Sequence, residues 1–388
     1  MSDNMPALTD QEVLRHAQEL LEEHLPLHAE GYKCTTDDLF KVLLGVAATK
    51  STLEAVCADL VGAPDPHTLR GYFNEQLCVE ELPELEQQLN AALVAEVPRR
   101  VHRQAQEVAI DYHDRPYYGK GAQDQELWVR GKAKDGTTRF YRVATAYLVL
   151  NGLRVTLALH FVLPEDDTVH VLDRLLQRVT AQGVQVSCLL LDKGFASVAV
   201  MDYLTRQRQA ALIACPIRGT TGGTRALCQG HKSYGTIHTF KDSQGVEFTA
   251  SLLVCRVFTT ARRTGRHGRQ AAWLVFVQIH LALSPRYARH LYRSRFGIET
   301  SYRCEGQLRG WTTAKNPAYR FVLLALAFVL LNVWIHLRWL FTQVPQRGGR
   351  WLDTQRFPLP RFVKFLQRAL ELWYGCVRTI TAPALPRE

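Results

Sequence analysis

Two aspartates stand at the ends of apolar runs that have the composition of buried strands. Asp111 follows Val108-Ala109-Ile110, and Asp192 follows Leu189-Leu190-Leu191. A carboxylate directly after a buried run is costly unless it is paired or bound to metal, which favours a functional site over a turn or cap residue. Carboxylates are the hard oxygen ligands of Mg²⁺ and Mn²⁺, and two such ions roughly 3.5–4 Å apart serve phosphodiester chemistry.

A third acid lies in a late segment with helical spacing. Tyr292, Arg295, Glu299 and Arg303 are separated by three, four and four positions, which puts them on one face of a predicted helix. A carboxylate with an arginine one turn to either side suits a site that holds metal and phosphate together. A solvated stripe of ion pairs is the alternative explanation.

Other acids near these positions are alternatives or have simpler roles. Asp114 replaces Asp111 as the ligand if the strand ends later, and Glu305 replaces Glu299 if the helix is rotated. The run Glu165-Asp166-Asp167 precedes a helix and is explained by capping and by the helix dipole.

The elements around the acids predict a mixed sheet. Three strands rich in β-branched and aromatic residues precede an alternation of helix, strand, helix and strand, which is the order of the RNase H-like fold. In that fold the first and fourth strands are neighbours, so Asp111 and Asp192 are expected to meet. The predicted segments are strands 107–112, 138–150 and 154–163, helix 168–182, strand 185–192, helix 197–207 and strand 210–216.

The rest of the chain predicts three consecutive domains. Residues 1–104 are expected to form a helical domain, residues 105–340 an RNase H-like catalytic domain with a β-rich insertion at about 217–284, and residues 341–388 a basic helical tail. The helices expected before residue 100 are 10–23, 36–48, 52–60, 67–76 and 81–97. Those expected after the insertion are 285–309, 317–340 and 361–374.

One pair of N-terminal helices resembles a helix-turn-helix. The turn is Gly62-Ala63-Pro64-Asp65-Pro66, and His67, Arg70 and Asn74 share one face of the helix that follows. Arginine and asparagine are suitable base readers. The segment is acidic, however, so helical packing or dimerisation is the alternative role.

Charge and composition predict a polyanionic partner and a reducing compartment. The net charge is +10, but residues 1–100 hold 18 Asp and Glu against 7 Lys and Arg, while residues 101–388 hold 19 against 40. Phosphate binding is therefore expected mainly in the larger, basic part. The nine cysteines form no zinc or disulfide pattern, and no secretory signal is recognisable, which favours the cytoplasm.

A short apolar run is the one membrane candidate in the sequence. Phe321–Ile335 has about 15 residues and contains Asn332, whereas a bilayer span needs about 20. We therefore predict a buried core helix and no membrane association.

Two motifs resemble the DDE transposases of prokaryotic insertion sequences, in the branch with a β insertion before the last acid. That branch is marked by Tyr-x2-Arg-x3-Glu-x6-Lys, and Tyr292, Arg295 and Glu299 match its first three members. Asp192-Lys193-Gly194-Phe195 matches its Asp-x-Gly-Phe/Tyr motif. The final lysine is replaced by Gly306, so Arg303 or Arg309 is expected to make its phosphate contact. The resemblance covers roughly residues 105–340.

The resemblance implies a DNA transposase that cuts and joins DNA at element ends. Asp111, Asp192 and Glu299 would be catalytic and hold two Mg²⁺ or Mn²⁺ ions, while Tyr292 and Arg295 position phosphate. The partners would be double-stranded DNA, as terminal inverted repeats and target, and a second copy of the chain in the synaptic complex. The expected location is the cytoplasm, with the nucleoid.

An arginine-rich segment between two insertion strands is a candidate phosphate clamp, because guanidinium groups suit phosphate oxygens. A solubilising loop is the alternative. The arginines proposed to bind DNA there are Arg262, Arg263, Arg266 and Arg269.

Two other functions use the same residues differently. A metal-dependent nuclease of the same fold would keep the three acids but join no DNA ends. A DNA-binding relic would have lost an acid, and all three are present.

Overall fold

The computed structural model describes residues 7–119, 127–150, 153–220, 222–260, 269–295, 297–347 and 349–380. Its first part is helical, as the apolar spacing predicted. Most of these helices begin at a side-chain cap, such as Thr9 in a capping box with Glu12. They are α1 (Asp10–His24), α2 (Thr36–Thr49), α3 (Leu53–Asp59), α4 (Pro66–Gln76) and α5 (Leu82–Val94).

Two short strands lie between the first two helices. They are β1 (Glu30–Gly31) and β2 (Cys34–Thr35), which pair antiparallel. The sequence did not predict them, because strands of two residues are too short to show any periodicity.

A mixed sheet fills the middle of the chain and confirms the α/β class. The strands are β3 (Gln106–Pro116), β4 (Val129–Lys134), β5 (Thr137–Leu150), β6 (Leu153–Val162), β7 (Val186–Leu191), β8 (Ala211–Cys215), β9 (Tyr234–Lys241), β10 (Glu247–Thr260) and β11 (Arg269–Ile279). Their order in the sheet is β4-β5-β3-β7-β8-β11-β10-β9, and β6 also pairs with β5. Only β3 with β7 and β7 with β8 are parallel neighbours among the pairings described.

The predicted insertion is continuous with this sheet. Strand β11 pairs antiparallel with β8, and β10 and β9 follow outward from it. The strands expected within 217–284 therefore extend the central sheet. Strand β4 was not predicted, since four of its six residues are exposed and it has no apolar alternation.

The remaining elements are mostly helices. Helix α6 packs on β5 and β6, and its first turn is capped by Asp167, whose carboxylate accepts from the His170 amide at 2.7 Å. The predicted capping role of the acidic run is thus confirmed. These elements are α6 (Thr168–Ala181), α7 (Val198–Arg206), α8 (Gly223–Ala226), α9 (Pro285–Arg295), α10 (Gly297–Glu305), α11 (Pro317–Phe341), β12 (Gln343–Gln346), β13 (Gly349–Leu352) and α12 (Leu359–Tyr374).

The chain packs into two compact units that do not follow chain order. The helical unit combines residues 1–97, 119–124 and 302–388, and the sheet unit combines residues 98–118 and 125–301. Packing therefore groups α11 and α12 with the N-terminal helices. The sequence-based prediction had placed them in the catalytic domain and in a C-terminal tail.

Helix α11 forms the core of the helical unit. It packs against α5 and α2, and the amide of Asn332 donates to the Leu93 carbonyl at 2.7 Å. By length and composition it is the one helix among the described residues that could cross a membrane, but 83% of its most apolar window is buried. Such burial is typical of a core helix.

We expect Leu326→Ala to destabilise the protein and Leu340→Ala to leave its stability nearly unchanged. Both residues lie on α11, but Leu326 is 1% exposed and Leu340 is 56% exposed. Removing the buried side chain costs roughly 2–5 kcal/mol, whereas an exposed change costs about 0.5 kcal/mol or less. Urea unfolding followed by helical circular dichroism measures both. Equal midpoints for the two variants would contradict this packing.

Candidate active site

Strand register brings Asp111 and Asp192 side by side. The last paired residues of the parallel strands β3 and β7 are Ile110 and Leu191, so the next residue along each strand is one of the two acids. Neighbouring strands are separated by about 4.8 Å, which puts two carboxylates from distant sequence within reach of one cation. Asp111 itself still lies within β3, where it pairs with Thr145 of β5.

A tight turn orients the carboxylate of Asp192. Its Oδ1 accepts a hydrogen bond from the Gly194 amide at 2.7 Å, which caps a short 3₁₀ turn over Lys193–Phe195. A Cβ on Gly194 would lie 3.0 Å from that oxygen, so a side chain there would crowd it. Phe195 is fully buried and stacks on Tyr112 of β3, with ring centroids 5.1 Å apart. The turn is thereby anchored to the strand that carries Asp111.

Arg295, at the end of α9, is the cation that joins the two acids. Its Nη2 lies 2.8 Å from Oδ2 of Asp111 and 4.0 Å from Oδ2 of Asp192. The Arg295 side chain is 8% exposed, so its charge is held in a site largely closed to water. Breaking a buried ion pair by removing one partner typically costs about 3–5 kcal/mol, which makes this contact a strong constraint on α9.

The surroundings of Asp111 oppose its ionisation. Burial raises its pKa from 3.8 to about 6; Arg295 lowers it, and the negative charges of Asp192 and Glu299 raise it. An additional positive charge nearby would therefore favour the ionised form of this carboxyl group. Because Asp192 and Glu299 both act on this pKa, both lie within electrostatic range of Asp111.

Tyr292 lies one turn before Arg295 and belongs to the same cluster. Burial raises its pKa to about 12, and while Arg295 lowers that pKa, the charges of Asp192 and Asp111 raise it. Its ring packs on Phe276 of β11 at 4.9 Å, and the Arg295 guanidinium lies 5.8 Å from its centroid. Tyr292 therefore remains a neutral hydroxyl beside the carboxylates.

Glu299 comes from α10, which starts very close to the sheet. A Cβ on Gly297 would overlap the Tyr147 hydroxyl oxygen and lie 3.0 Å from Nε of Arg154. Any larger residue would have to displace the Tyr147 hydroxyl or α10, so Gly297 allows α10 to approach the side chain of Tyr147. Glu299 follows in the first turn, with its side chain exposed. The continuous helix predicted at 285–309 is described as α9 and α10, with Phe296 outside the described residues.

The two alternative acids have other partners. Asp114 forms a two-point ion pair with Arg142, with distances of 2.6 and 3.0 Å. Strand alternation puts it on the face of the sheet opposite Asp111. Glu305 is fully buried in the helical unit and pairs with Arg309 at 3.2 Å.

The predicted DNA-binding arginines outside this cluster are only partly described. Arg262, Arg263 and Arg266 lie outside the described residues, and Arg269 begins β11 with its side chain likewise outside them. Arg303 is exposed on α10, and Arg309 is paired with Glu305, both in the helical unit. Their phosphate contacts, and the replacement of the missing lysine, stay predictions.

The helix-turn-helix candidate has the predicted helices, but the charge of its arginine is already paired with an acid. His67, Arg70 and Asn74 are all exposed on α4, yet Arg70 forms an ion pair with Glu54 of α3. A base contact by Arg70 would have to break that pair. Whether α4 reads DNA stays a prediction.

The acids are of the type that binds a divalent cation. Asp111 and Asp192 present oxygens to one guanidinium, and Glu299 lies within electrostatic range of Asp111. The ligand oxygens of the three acids do not all lie within 4.8 Å of one another in this structure. Oxygen ligands of this kind are those of Mg²⁺ and Mn²⁺.

Sequence reasoning missed the residues that hold the acids in place. Tyr112, Phe195 and Gly297 anchor the turn and the late helix. The sequence offered two signals for them. Phe195 belongs to the motif that follows Asp192, and Gly297 is an isolated glycine inside a helical pattern. The ring contact and the close approach themselves require the tertiary structure.

As the pH rises from about 4 to about 7, we expect the free energy of unfolding of the metal-free wild type to fall relative to that of the Asp111→Asn variant. Asp111 keeps its proton to about pH 6 when folded but releases it near 3.8 when unfolded, so stability falls with rising pH in this window. The difference corresponds to roughly 3 kcal/mol. Urea unfolding with a chelator measures it, and Asp202→Asn, at an exposed ion pair, is the control. Identical pH dependence of wild type and Asp111→Asn would contradict the raised pKa.

We expect Gly297→Ala to destabilise the protein by roughly 1–3 kcal/mol, because the methyl group forces α10 away from Tyr147. Gly306→Ala is the control, since its Cβ would meet nothing nearer than 3.5 Å. Thermal unfolding compares the two variants. If Gly297→Ala unfolded at the same temperature as the wild type, the close approach at Gly297 would not determine the position of Glu299.

Comparison of the chain with protein-family models and with curated proteins gave no match. Any functional assignment therefore depends on the geometry of the carboxylate cluster and on the motifs that surround it.

Proposed function

We propose that this chain is a DNA transposase of the DDE type, which cuts and joins DNA at the ends of an insertion sequence. The observation that carries the proposal is that Asp111 and Asp192 share the Arg295 guanidinium and that Glu299 lies within electrostatic range of Asp111. The order and spacing of the motifs agree with this cluster. Neither feature alone is as specific as their combination.

The sheet supports an RNase H-like catalytic core. Strands β6, β5 and β3 are antiparallel neighbours, and β7 and β8 continue in parallel with β3. This is the order expected for that fold, with the first acid on the central strand and the second at the end of the strand beside it. The β insertion before the late helix also agrees with the branch of the family that the motifs resemble.

The charge distribution supports a polyanionic substrate at the sheet unit. That unit holds 28 Lys and Arg against 14 Asp and Glu, a formal charge of +14, while the helical unit holds 19 against 23, or −4. Backbone phosphates of DNA are attracted to such a basic unit in a salt-dependent manner. Most sequence-independent affinity would then come from the unit that carries the acids.

Asp111, Asp192 and Glu299 would hold Mg²⁺ or Mn²⁺. When bound, two such ions activate the attacking oxygen and stabilise the leaving oxygen at phosphorus. Ion binding favours ionised Asp111, which the neighbouring acids oppose in the metal-free protein.

Arg295 and Tyr292 would position the phosphate. The buried guanidinium is a fixed donor beside both aspartates, and guanidinium groups bind phosphate oxygens in a directed way. The neutral Tyr292 hydroxyl adds a donor without adding charge. Glu299 is exposed, and a DNA strand would reach the site from its side.

Joining of paired DNA ends would require a second copy of the chain. This dimer, the terminal inverted repeats and the cytoplasmic location come from the resemblance. They remain part of the proposal.

We expect wild-type protein with Mg²⁺ to cut duplex DNA that carries the sequences flanking its coding region. The rate of cleavage should be at least about a hundredfold lower in the variants Asp192→Asn, Asp111→Asn and Glu299→Gln. Loss of a ligand oxygen weakens the hold on the ions. Gel analysis of labelled DNA measures cleavage. Asp114→Asn is the matched control and should retain activity within a few-fold, because Asp114 pairs with Arg142 on the opposite face.

The same reaction distinguishes a transposase from a nuclease. Products in which the cut end is joined to a second DNA, lost in Asp192→Asn, support strand transfer. Cleavage without joined products would favour the nuclease. Equal activity of wild type and Asp192→Asn would remove Asp192 from the mechanism and end the proposal.

A further inference from the structure

A second group of metal-ligating side chains lies within the helical unit. His16 of α1, Glu96 in the turn after α5, and His336 of α11 each offer one ligand atom, and these atoms all lie within 4.8 Å of one another. Three separate elements of one compact unit thus converge on a single point. None of these residues takes part in the carboxylate cluster of the sheet unit.

The ring of His336 is oriented as in a metal ligand. Its Nδ1 lies 3.2 Å from the Glu96 carbonyl oxygen, which accepts the Nδ1 proton and leaves the lone pair of Nε2 free. That Nε2 lies 4.0 Å from Oε1 of Glu96. Metal-binding histidines are commonly fixed by such a bond from the other ring nitrogen to a backbone carbonyl.

The facing atoms of His16 and Glu96 are only partly satisfied by each other. Nε2 of His16 and Oε2 of Glu96 are buried, and neither has a hydrogen-bond partner among the described residues. Nε2 of His16 does lie 2.5 Å from Oε1 of Glu96 in an ion pair, and this contact raises the pKa of His16. The rings of His16 and His336 are stacked, with centroids 5.8 Å apart and an angle of 12°. Oε2 of Glu96 has no such partner in the described part of the chain, and an unpartnered buried polar atom is costly, so a ligand shared with the two imidazoles is expected there.

We propose that His16, Glu96 and His336 form a transition-metal site of the zinc class. Two imidazoles and one carboxylate are a ligand set of Zn²⁺, and imidazole distinguishes this class from Mg²⁺ and Ca²⁺. The side chains are 32%, 16% and 25% exposed, so water can supply a fourth ligand. The ion would bind α1, α11 and the end of α5 together.

The site should be measured on the full chain after removal of metal with a chelator. Zn²⁺ is titrated against a chromophoric chelator, and Co²⁺ is added separately to record its visible absorption, which reports nitrogen and oxygen ligands directly. Excess Mg²⁺ is present throughout to fill the carboxylate cluster. Asp192→Asn is tested in parallel and should bind the same single equivalent of Zn²⁺.

We expect His16→Gln, Glu96→Gln and His336→Gln each to weaken Zn²⁺ binding by about tenfold or more. The matched control is His67→Gln, which removes an exposed histidine of the same unit and should bind as the wild type does. Zn²⁺ should also raise the unfolding temperature of wild type and of His67→Gln but not of His336→Gln.

Two outcomes would overturn the site. One is that folded wild-type protein binds no Zn²⁺ in competition with the chelator, which would leave the three residues as an ion-paired cluster. The other is that all three variants, shown to be folded by circular dichroism, bind as tightly as His67→Gln. Two of the variants change histidines on different helices, and one changes the carboxylate. If one variant does not fold, the other two still test whether the site binds Zn²⁺.

Discussion

The ion pair between Arg295 and the two aspartates is the constraint on which the rest of the sheet unit depends. Two carboxylates from adjacent strands repel each other, and a guanidinium that is 8% exposed has little water to replace a lost partner. Each charge therefore needs the others. These contacts hold the end of α9 beside Asp111 of β3 and Asp192 after β7. Burial raises the pKa of Asp111, although Arg295 lowers it.

Small, uncharged features keep the acids in position. The stacking of Phe195 on Tyr112 holds the turn after β7, and the absence of a side chain at Gly194 leaves room for the carboxylate of Asp192. The same lack of a side chain at Gly297 lets α10 approach the sheet before Glu299. The proposed chemistry thus depends on packing at positions that carry no reactive group.

The two compact units differ in charge as well as in structure. The sheet unit carries the carboxylate cluster and the excess of basic residues, while the helical unit is slightly acidic and contains α11 as its apolar core. A polyanion would therefore be attracted mainly to the unit with the acids. The proposed zinc-class site lies in the helical unit, where its role would be to hold helices together.

The sequence by itself determined most of the local elements and the candidate site residues. Apolar periodicity predicted the longer helices and the longer strands to within a few residues, but not α8, β1, β2 and β4, nor β12 and β13 in the segment predicted to be a helical tail. The acids at the ends of apolar runs pointed to Asp111 and Asp192. Local patterns were sufficient there because they depend on neighbouring residues alone. Only the tertiary structure decided which acids meet, that Asp114 pairs with Arg142, and that His16, Glu96 and His336 converge. It also grouped α11 and α12 with the N-terminal helices. Such contacts join residues far apart in the chain through strand register and helix packing, and no local pattern records them.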